Sequence, residues 1–261
     1  MQLNHQDIKT IEVTKWQGLH LFHFDMSSCS QKVRIVFREL GLSFTSHPIN
    51  LLKDENRTTW YLGINPRGEV PVLVHNGAVH IESNDIIQYV DEIFASPERS
   101  LLPSSEEERK EMQVLLDLEN SLHNDLRTVT FTYLAPDTKN RASETKHTYD
   151  FVGRFHNAFT KLDDRLSENA YLLGDRFSLL DISWFITLFR LKRAGYPLSK
   201  HPHLSAYFSR MSHRSSFRKE IAAGPMHMRF LSAIYQHAYR ILYGSLAHDF
   251  KRWEMLGKKN L

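Results

Sequence analysis

The chain has 261 residues, of which 41% are apolar, a net charge of +3 and a single cysteine. This length suffices for two ordinary domains, and the charge is spread along the chain without the dense basic stripe typical of nucleic-acid binding proteins. One cysteine excludes an internal disulfide framework and favours the reducing cytoplasm. No apolar run resembles a signal peptide or reaches the ~20 residues that span a bilayer, so we expect no transmembrane segment.

The N-terminal part of the chain predicts an extension, a strand and a helix. Residues 1–17 are polar and mixed, and we interpret them as an extension outside the core. A strand is predicted at 19–24, and apolar residues at helical spacing then predict a helix from about Ser28 to Leu40. Ser28 with Gln31 fits a capping box, in which two side chains three positions apart bond to each other's backbone N–H groups.

The junction between this strand and helix carries the only cysteine, within Ser27-Ser28-Cys29-Ser30. Backbone N–H groups at a helix N-terminus lack intrahelical partners, and the helix dipole places partial positive charge there. An anion is stabilised at such a position, and a thiol ionises more readily. The junction is therefore predicted to hold a thiolate, either that of Cys29 or that of a bound ligand.

The following segments continue the alternation of strands and helices. We predict, in chain order, a strand at 43–49, a short helix near 56–62, a turn at 65–68 and paired strands at 70–75 and 78–81. Asn76-Gly77 is a tight hairpin signal between the last two strands. Ser83 is predicted to cap the next helix. The order β-α-β-α-β-β-α predicts a mixed sheet with helices packed on it.

The composition then becomes helical almost to the end of the chain. Helices are predicted at about 105–129, 144–168, from Ser178 onwards, 203–211, 215–222 and 226–256. Ser178 with Asp181 fits a second capping box, to which we assign a structural role. The predicted division is an extension (1–17), an α/β domain (18–97), a linker (98–104), an all-α domain (105–224) and a C-terminal helical extension (225–261).

Four motifs resemble those of cytosolic glutathione transferases, in the same order and at similar spacing. They are Ser27-Ser28-Cys29-Ser30-x-x-Val33-Arg34, Val70-Pro71-Val72-Leu73, Glu82-Ser83 and Ser178-x-x-Asp181. The resemblance covers about residues 18–222. It implies a thioredoxin-like α/β domain followed by an all-α domain, glutathione as co-substrate, an apolar electrophile as second substrate, and a homodimer.

The resemblance also implies which residues bind glutathione. Val70 would precede a cis proline, Pro71, and present its backbone N–H and C=O to the extended tripeptide. Glu82 would meet the ammonium of the γ-glutamyl group, and Ser83, at a helix N-terminus, its carboxylate. Lys53 would contact the glycine end.

The thiol of the tripeptide would then lie beside the first motif. Ser27 would donate a hydrogen bond that favours the thiolate, and Ser28 would line the same site. Cys29 would supply a second, glutathione-removing step, as the corresponding cysteine does in the bacterial tetrachlorohydroquinone dehalogenases that this motif resembles. The same motif also resembles the zeta class, whose members are isomerases, and other motifs resemble ganglioside-induced differentiation-associated proteins.

Several functions stay open on the sequence. The first is conjugation or glutathione-dependent dehalogenation with Ser27 central. The alternatives are thiol transfer by Cys29, zeta-type cis-trans isomerisation, and a binding protein without activity. The histidines lack metal-ligand spacing, so no metal is expected.

Overall fold

The computed structural model describes residues 1–130, 133, 148–222 and 246–257. The described chain divides into two compact units, one formed by residues 1–104 with the helix at 215–222, and one formed by the other described residues. The predicted order, an α/β domain followed by a helical domain, is confirmed. The helix at 215–222 was predicted in the all-α domain, but it belongs to the first unit because its buried side chains pack on a helix of that unit.

The first unit is built on a mixed four-stranded sheet. Its strands are β1 (Leu19–His23), β2 (Thr45–Pro48), β3 (Val72–His75) and β4 (Ala78–His80). Their order in the sheet is β2-β1-β3-β4, with β1 and β2 parallel and the other neighbours antiparallel. The helices of this unit are α1 (Ser28–Leu40), α2 (Thr59–Leu62), α3 (Ser83–Phe94) and α9 (Ser215–Ala222). Asn76 and Gly77 both have positive φ, as the predicted hairpin turn requires.

The interpretation of residues 1–17 as an extension outside the core is wrong. Ile8 and Val13 are buried in one apolar cluster with residues of β1, β3 and β4, namely Phe22, Val72, Val74 and Val79. The segment is fixed by polar contacts as well, since the Thr10 hydroxyl donates to the carbonyl of Trp60 at 2.6 Å. Its two short 3-10 helices, His5–Asp7 and Ile11–Lys15, give no helical or strand periodicity from which this burial could be predicted.

The second unit is helical. Its helices are α4 (Glu106–Ser121), α5 (His123–Val129), α6 (Thr148–Leu166), α7 (Leu179–Ala194), α8 (Pro202–Ser212) and α10 (Leu246–Gly257). The single helix predicted over 105–129 is divided at Leu122. Of the helix predicted over 226–256, residues 226–245 lie outside the described residues. None of the described helices is long and apolar enough to cross a membrane.

Helix α7 forms the centre of this unit. The indole N–H of Trp184 donates to the carbonyl of Leu115 at 3.1 Å, and both residues are buried. The predicted capping box at its start is confirmed: the buried carboxylate of Asp181 accepts from the backbone N–H of Ser178 at 2.8 Å and from the Tyr207 hydroxyl at 2.8 Å. Burial raises the pKa of Asp181, and these hydrogen bonds oppose that rise.

Candidate active site

The strand register brings the predicted site residues to one end of the sheet. Because β1 and β2 are parallel, the segments after both strands leave the sheet at the same end. Strand β3 is antiparallel to β1 and therefore begins at that end, and β4 is antiparallel to β3 and ends there. The residues brought to this end are Ser27, Ser28 and Cys29 after β1, Lys53 after β2, Val70 and Pro71 before β3, and Glu82 and Ser83 after β4.

The β1–α1 junction is capped by Ser27 and not by Ser28. The Ser27 hydroxyl oxygen accepts a hydrogen bond from the backbone N–H of Ser30 at 3.2 Å, which makes Ser27 the N-cap and Ser28 the first helical residue. The predicted capping box of Ser28 and Gln31 is therefore wrong. Since a cap uses only a lone pair of the hydroxyl oxygen, the Ser27 proton stays available, and no described residue accepts it.

Cys29 lies in the first turn of α1, two positions after this cap. Its side chain is half-buried, and its sulfur is a thiol that forms no disulfide. A thiol in the first turn of a helix lies in the partial positive charge of the helix N-terminus, which favours the thiolate. Cys29 and Ser27 thus belong to the same turn, but only Ser27 has a hydroxyl to donate.

The predicted cis proline is confirmed, since the Val70–Pro71 peptide bond is cis. The Val70 side chain packs against the apolar cluster of the first unit. Its backbone N–H and C=O have no partner among the described residues. Strand β3 starts only at Val72, so these two groups extend the line of the sheet without being part of its ladder.

The start of α3 differs from the prediction that Ser83 is its cap. Glu82 takes the N-cap position without a side-chain cap, and Ser83 is the first helical residue. Glu82 has a φ of +67°, which costs a non-glycine residue about 1–3 kcal/mol and is typical of functional sites. The Ser83 hydroxyl therefore does not cap the helix, and it forms no hydrogen bond with any described residue.

Two basic residues lie near the start of α3 and were not predicted as site residues. Arg67 forms an ion pair with Oε1 of Glu82, and both side chains are about half exposed. Lys32 of α1 is 3% exposed, and its Nζ lies 3.4 Å from Oδ1 of Asn84 in the first turn of α3. Neither contact has a local sequence signal, because each joins residues of separate elements. Lys32 makes this helix start more positive than its dipole alone, whereas the charge of Arg67 is balanced by that of Glu82.

Lys53 is exposed at the end of a short 3-10 helix, Leu51–Lys53. Among the described residues no group of three or more His, Cys, Asp or Glu side chains is arranged to hold a metal ion.

Comparisons with known proteins agree with this geometry. The family models of the glutathione S-transferase N-terminal and C-terminal domains match residues 21–98 and 121–210, together more than half of the chain. Glutathione S-transferase 3 of Zea mays is 27% identical over 213 residues, which are 80% of this chain and 95% of the relative. Glutathione S-transferase 1 of Dianthus caryophyllus is 32% identical over 70% of this chain and 85% of the relative.

A solved structure of glutathione S-transferase-I bound with lactoylglutathione has a TM-score of 0.68 and 25% identity, and covers 78% of this chain and 99% of that one. The chain thus shares both domains, in the same order, with these proteins. It belongs to the glutathione S-transferase family of enzymes, with glutathione as co-substrate.

Proposed function

We propose that this protein activates glutathione at the β1–α1 junction and joins its thiolate sulfur to the carbon of an apolar electrophile, in conjugation or in dehalogenation. The proposal rests on the hydrogen bonding of the Ser27 hydroxyl. Its oxygen is held by the cap to Ser30, and its proton has no acceptor among the described residues. A hydroxyl fixed in this way is pre-organised to donate to a thiolate.

Binding of the tripeptide is supported by polar groups at the starts of β3 and α3. The unpaired N–H and C=O of Val70, beside Pro71, fit the backbone of the cysteinyl residue. The Ser83 hydroxyl and the first N–H groups of α3 fit the γ-glutamyl carboxylate. The ammonium next to that carboxylate would share the Glu82 carboxylate with Arg67. Lys53 and Ser28 complete the proposed site, with Lys53 toward the glycine end.

The chemical step requires only that the glutathione thiol be ionised near neutral pH. The thiolate is the nucleophile, and a hydrogen bond to the charged form lowers the pKa of the thiol. One such bond to an ion contributes about 1.5–3 kcal/mol, which corresponds to a rate change of roughly 10- to 100-fold. The thiolate then attacks the electrophilic carbon, and the leaving group departs with the bonding electron pair.

A second candidate function is thiol transfer by Cys29, because its half-exposed thiol lies in the same helical turn. In this reaction the Cys29 thiolate attacks the glutathione sulfur of a disulfide between glutathione and a substrate thiol, forms a Cys29–glutathione disulfide and releases the substrate as its thiolate. A second glutathione thiolate then restores Cys29 and releases oxidised glutathione. We also propose a zeta-type or dehalogenase-type subclass, which the Ser-Ser-Cys motif supports. A homodimer is proposed on the family resemblance, and a cytoplasmic location on the single cysteine.

The test compares wild type with Ser27→Ala, Ser27→Thr and Cys29→Ala. Glutathione affinity is measured by calorimetry, and turnover is measured with a chloronitrobenzene electrophile. Adducts formed with oxidised glutathione are detected by intact-mass spectrometry. We expect Ser27→Ala to lose about 10- to 100-fold in turnover, whereas Ser27→Thr, which keeps the hydroxyl and the cap, retains most of it. Cys29→Ala should then change turnover little.

The opposite pattern identifies thiol transfer. It consists of a stable adduct of one glutathione that disappears in Cys29→Ala, with turnover insensitive to Ser27→Ala. Absence of both glutathione binding and adduct formation would refute both functions and favour a protein that retains the fold without the activity.

A further inference from the structure

A buried arginine joins the loop that carries Ser27 to a helix near the far end of the chain. The guanidinium of Arg34, in α1, is 6% exposed and has five N–H donors, all of which have acceptors. Nε donates to Oε1 of Glu220 at 2.9 Å, and Nη2 donates to the same oxygen and, at 2.9 Å, to the carbonyl of Asp25. Nη1 donates to Nδ1 of His23 at 3.0 Å and to the carbonyl of Phe24 at 3.3 Å.

Two of these acceptors are carbonyls of the β1–α1 loop. The carbonyl oxygen of Phe24 also accepts the backbone N–H of Ser27 at 3.0 Å. A single oxygen therefore links the Arg34 guanidinium to the peptide group of Ser27. Because the guanidinium is planar and its donors have fixed directions, its orientation sets where this loop, and the Ser27 hydroxyl with it, can lie.

Glu220 of α9 fixes the orientation of the guanidinium. Its side chain is fully buried, and it lies 186 positions from Arg34 in the sequence. The Arg38 guanidinium is the only other cation within 4 Å of this carboxylate among the described residues, at 3.8 Å. A buried charge without its partner is strongly unfavourable, so Arg34 and Glu220 hold each other in one arrangement.

His23, the last residue of β1, completes the network in its neutral form. Burial lowers its pKa to about 4, and the neighbouring Arg34 charge acts in the same direction. Because Arg34 only donates, Nδ1 of His23 must accept, and the proton therefore sits on Nε2. That N–H donates to the Ser46 hydroxyl of β2 at 2.7 Å.

We propose that Arg34 and Glu220 are positioning residues, which hold the β1–α1 loop so that the Ser27 hydroxyl meets the glutathione thiolate. The proposal rests on the function proposed above, and it goes beyond it by making a distant helix, α9, part of the machinery that orients Ser27. Neither residue touches the substrate in this proposal. Their effect passes through Ser27, and this gives the proposal a specific test.

The main variant is Arg34→Lys. A lysine keeps the positive charge beside Glu220, but its three donors radiate from one nitrogen and cannot reach both Glu220 and the two loop carbonyls. Glu220→Gln is the second variant, because it keeps an acceptor for Arg34 and removes the charge. The matched control is Ser216→Ala, which removes the hydrogen bond of Ser216 to Glu39 between the same two helices, α9 and α1, without contact to the loop.

We measure turnover, glutathione affinity, the pKa of the bound thiol by thiolate absorbance, and hydrogen exchange of the loop amides. For Arg34→Lys we expect a fall in kcat of about 10- to 100-fold, with glutathione affinity within about threefold, a raised thiol pKa and faster loop exchange. Glu220→Gln should change the same quantities in the same direction by a smaller factor. Ser216→Ala should leave all four close to wild type.

A double-mutant cycle with Ser27→Ala decides whether the effect passes through Ser27. If it does, Arg34→Lys costs no further turnover in the Ser27→Ala background. Equal, additive losses in both backgrounds would overturn the proposal, as would wild-type loop exchange in Arg34→Lys. If Ser27→Ala alone leaves turnover unchanged, the proposed function fails, and loop exchange then decides by itself whether Arg34 and Glu220 hold the loop.

Discussion

Replacing Val13 by alanine tests whether the N-terminal segment belongs to the core of the first unit. The Val13 side chain is 0% exposed and lies in the apolar cluster with Phe22 and Val72. The change removes two methyl groups, which corresponds to about 1.6 kcal/mol of transfer free energy. A residual cavity of about 50 Å³ adds roughly 1.2 kcal/mol. We therefore expect the free energy of unfolding of this unit to fall by about 2–3 kcal/mol.

The assay is urea unfolding followed by tryptophan fluorescence, with hydrogen exchange of β1 amides to assign the transition to the first unit. With a slope of about 2.5 kcal/mol per molar urea, the midpoint should fall by about 1 M while the slope stays constant. The matched control is Ile11→Ala on the same 3-10 helix, where the side chain is 54% exposed and the expected loss is below about 0.5 kcal/mol. Equal effects of the two variants, or none from Val13→Ala, would refute the assignment of the segment to the core.

Three further predictions concern stability. Burial lowers the pKa of three histidines to about 4: His23, His80 and His201. Below about pH 6.5 the unfolded chain binds more protons at these histidines than the folded chain does. The free energy of unfolding should therefore be constant above about pH 6.5 and fall steadily from there toward about pH 4. Urea midpoints that stay constant between these two pH values would contradict the prediction. Ser178→Ala removes the cap of α7 and should cost about 1–2 kcal/mol in urea unfolding, and a loss near zero would contradict the box. Gly77→Ala places a Cβ against the carbonyl oxygen of Thr14 and should lower the thermal midpoint more than Gly18→Ala. Both glycines have a φ of +83°, but a Cβ at Gly18 would have no atom within 4 Å. Equal shifts would show that only the backbone strain matters.

Much of the candidate site could be predicted because its parts are local. The strand–helix junction of β1 and α1, the residues before β3 and the start of α3 each follow from turn and periodicity signals within a few residues. Their meeting at one end of the sheet follows from the mixed strand order. The identity of each cap did not follow, since Ser27 and Ser28 are equally good capping residues by type. The path of the loop after His23 decides between them.

The sequence by itself determined the α/β unit, the helical unit, the hairpin at Asn76-Gly77 and the membership of a glutathione-using family. Each of these follows from residues close together in the chain, through apolar periodicity, turn residues or short motifs. Only the tertiary structure decided that residues 1–17 complete the core, that Arg67 pairs with Glu82, and that Arg34 and Glu220 meet across 186 positions. Burial and charge pairing between distant segments depend on how the chain closes on itself, and such contacts leave no period or spacing in the sequence.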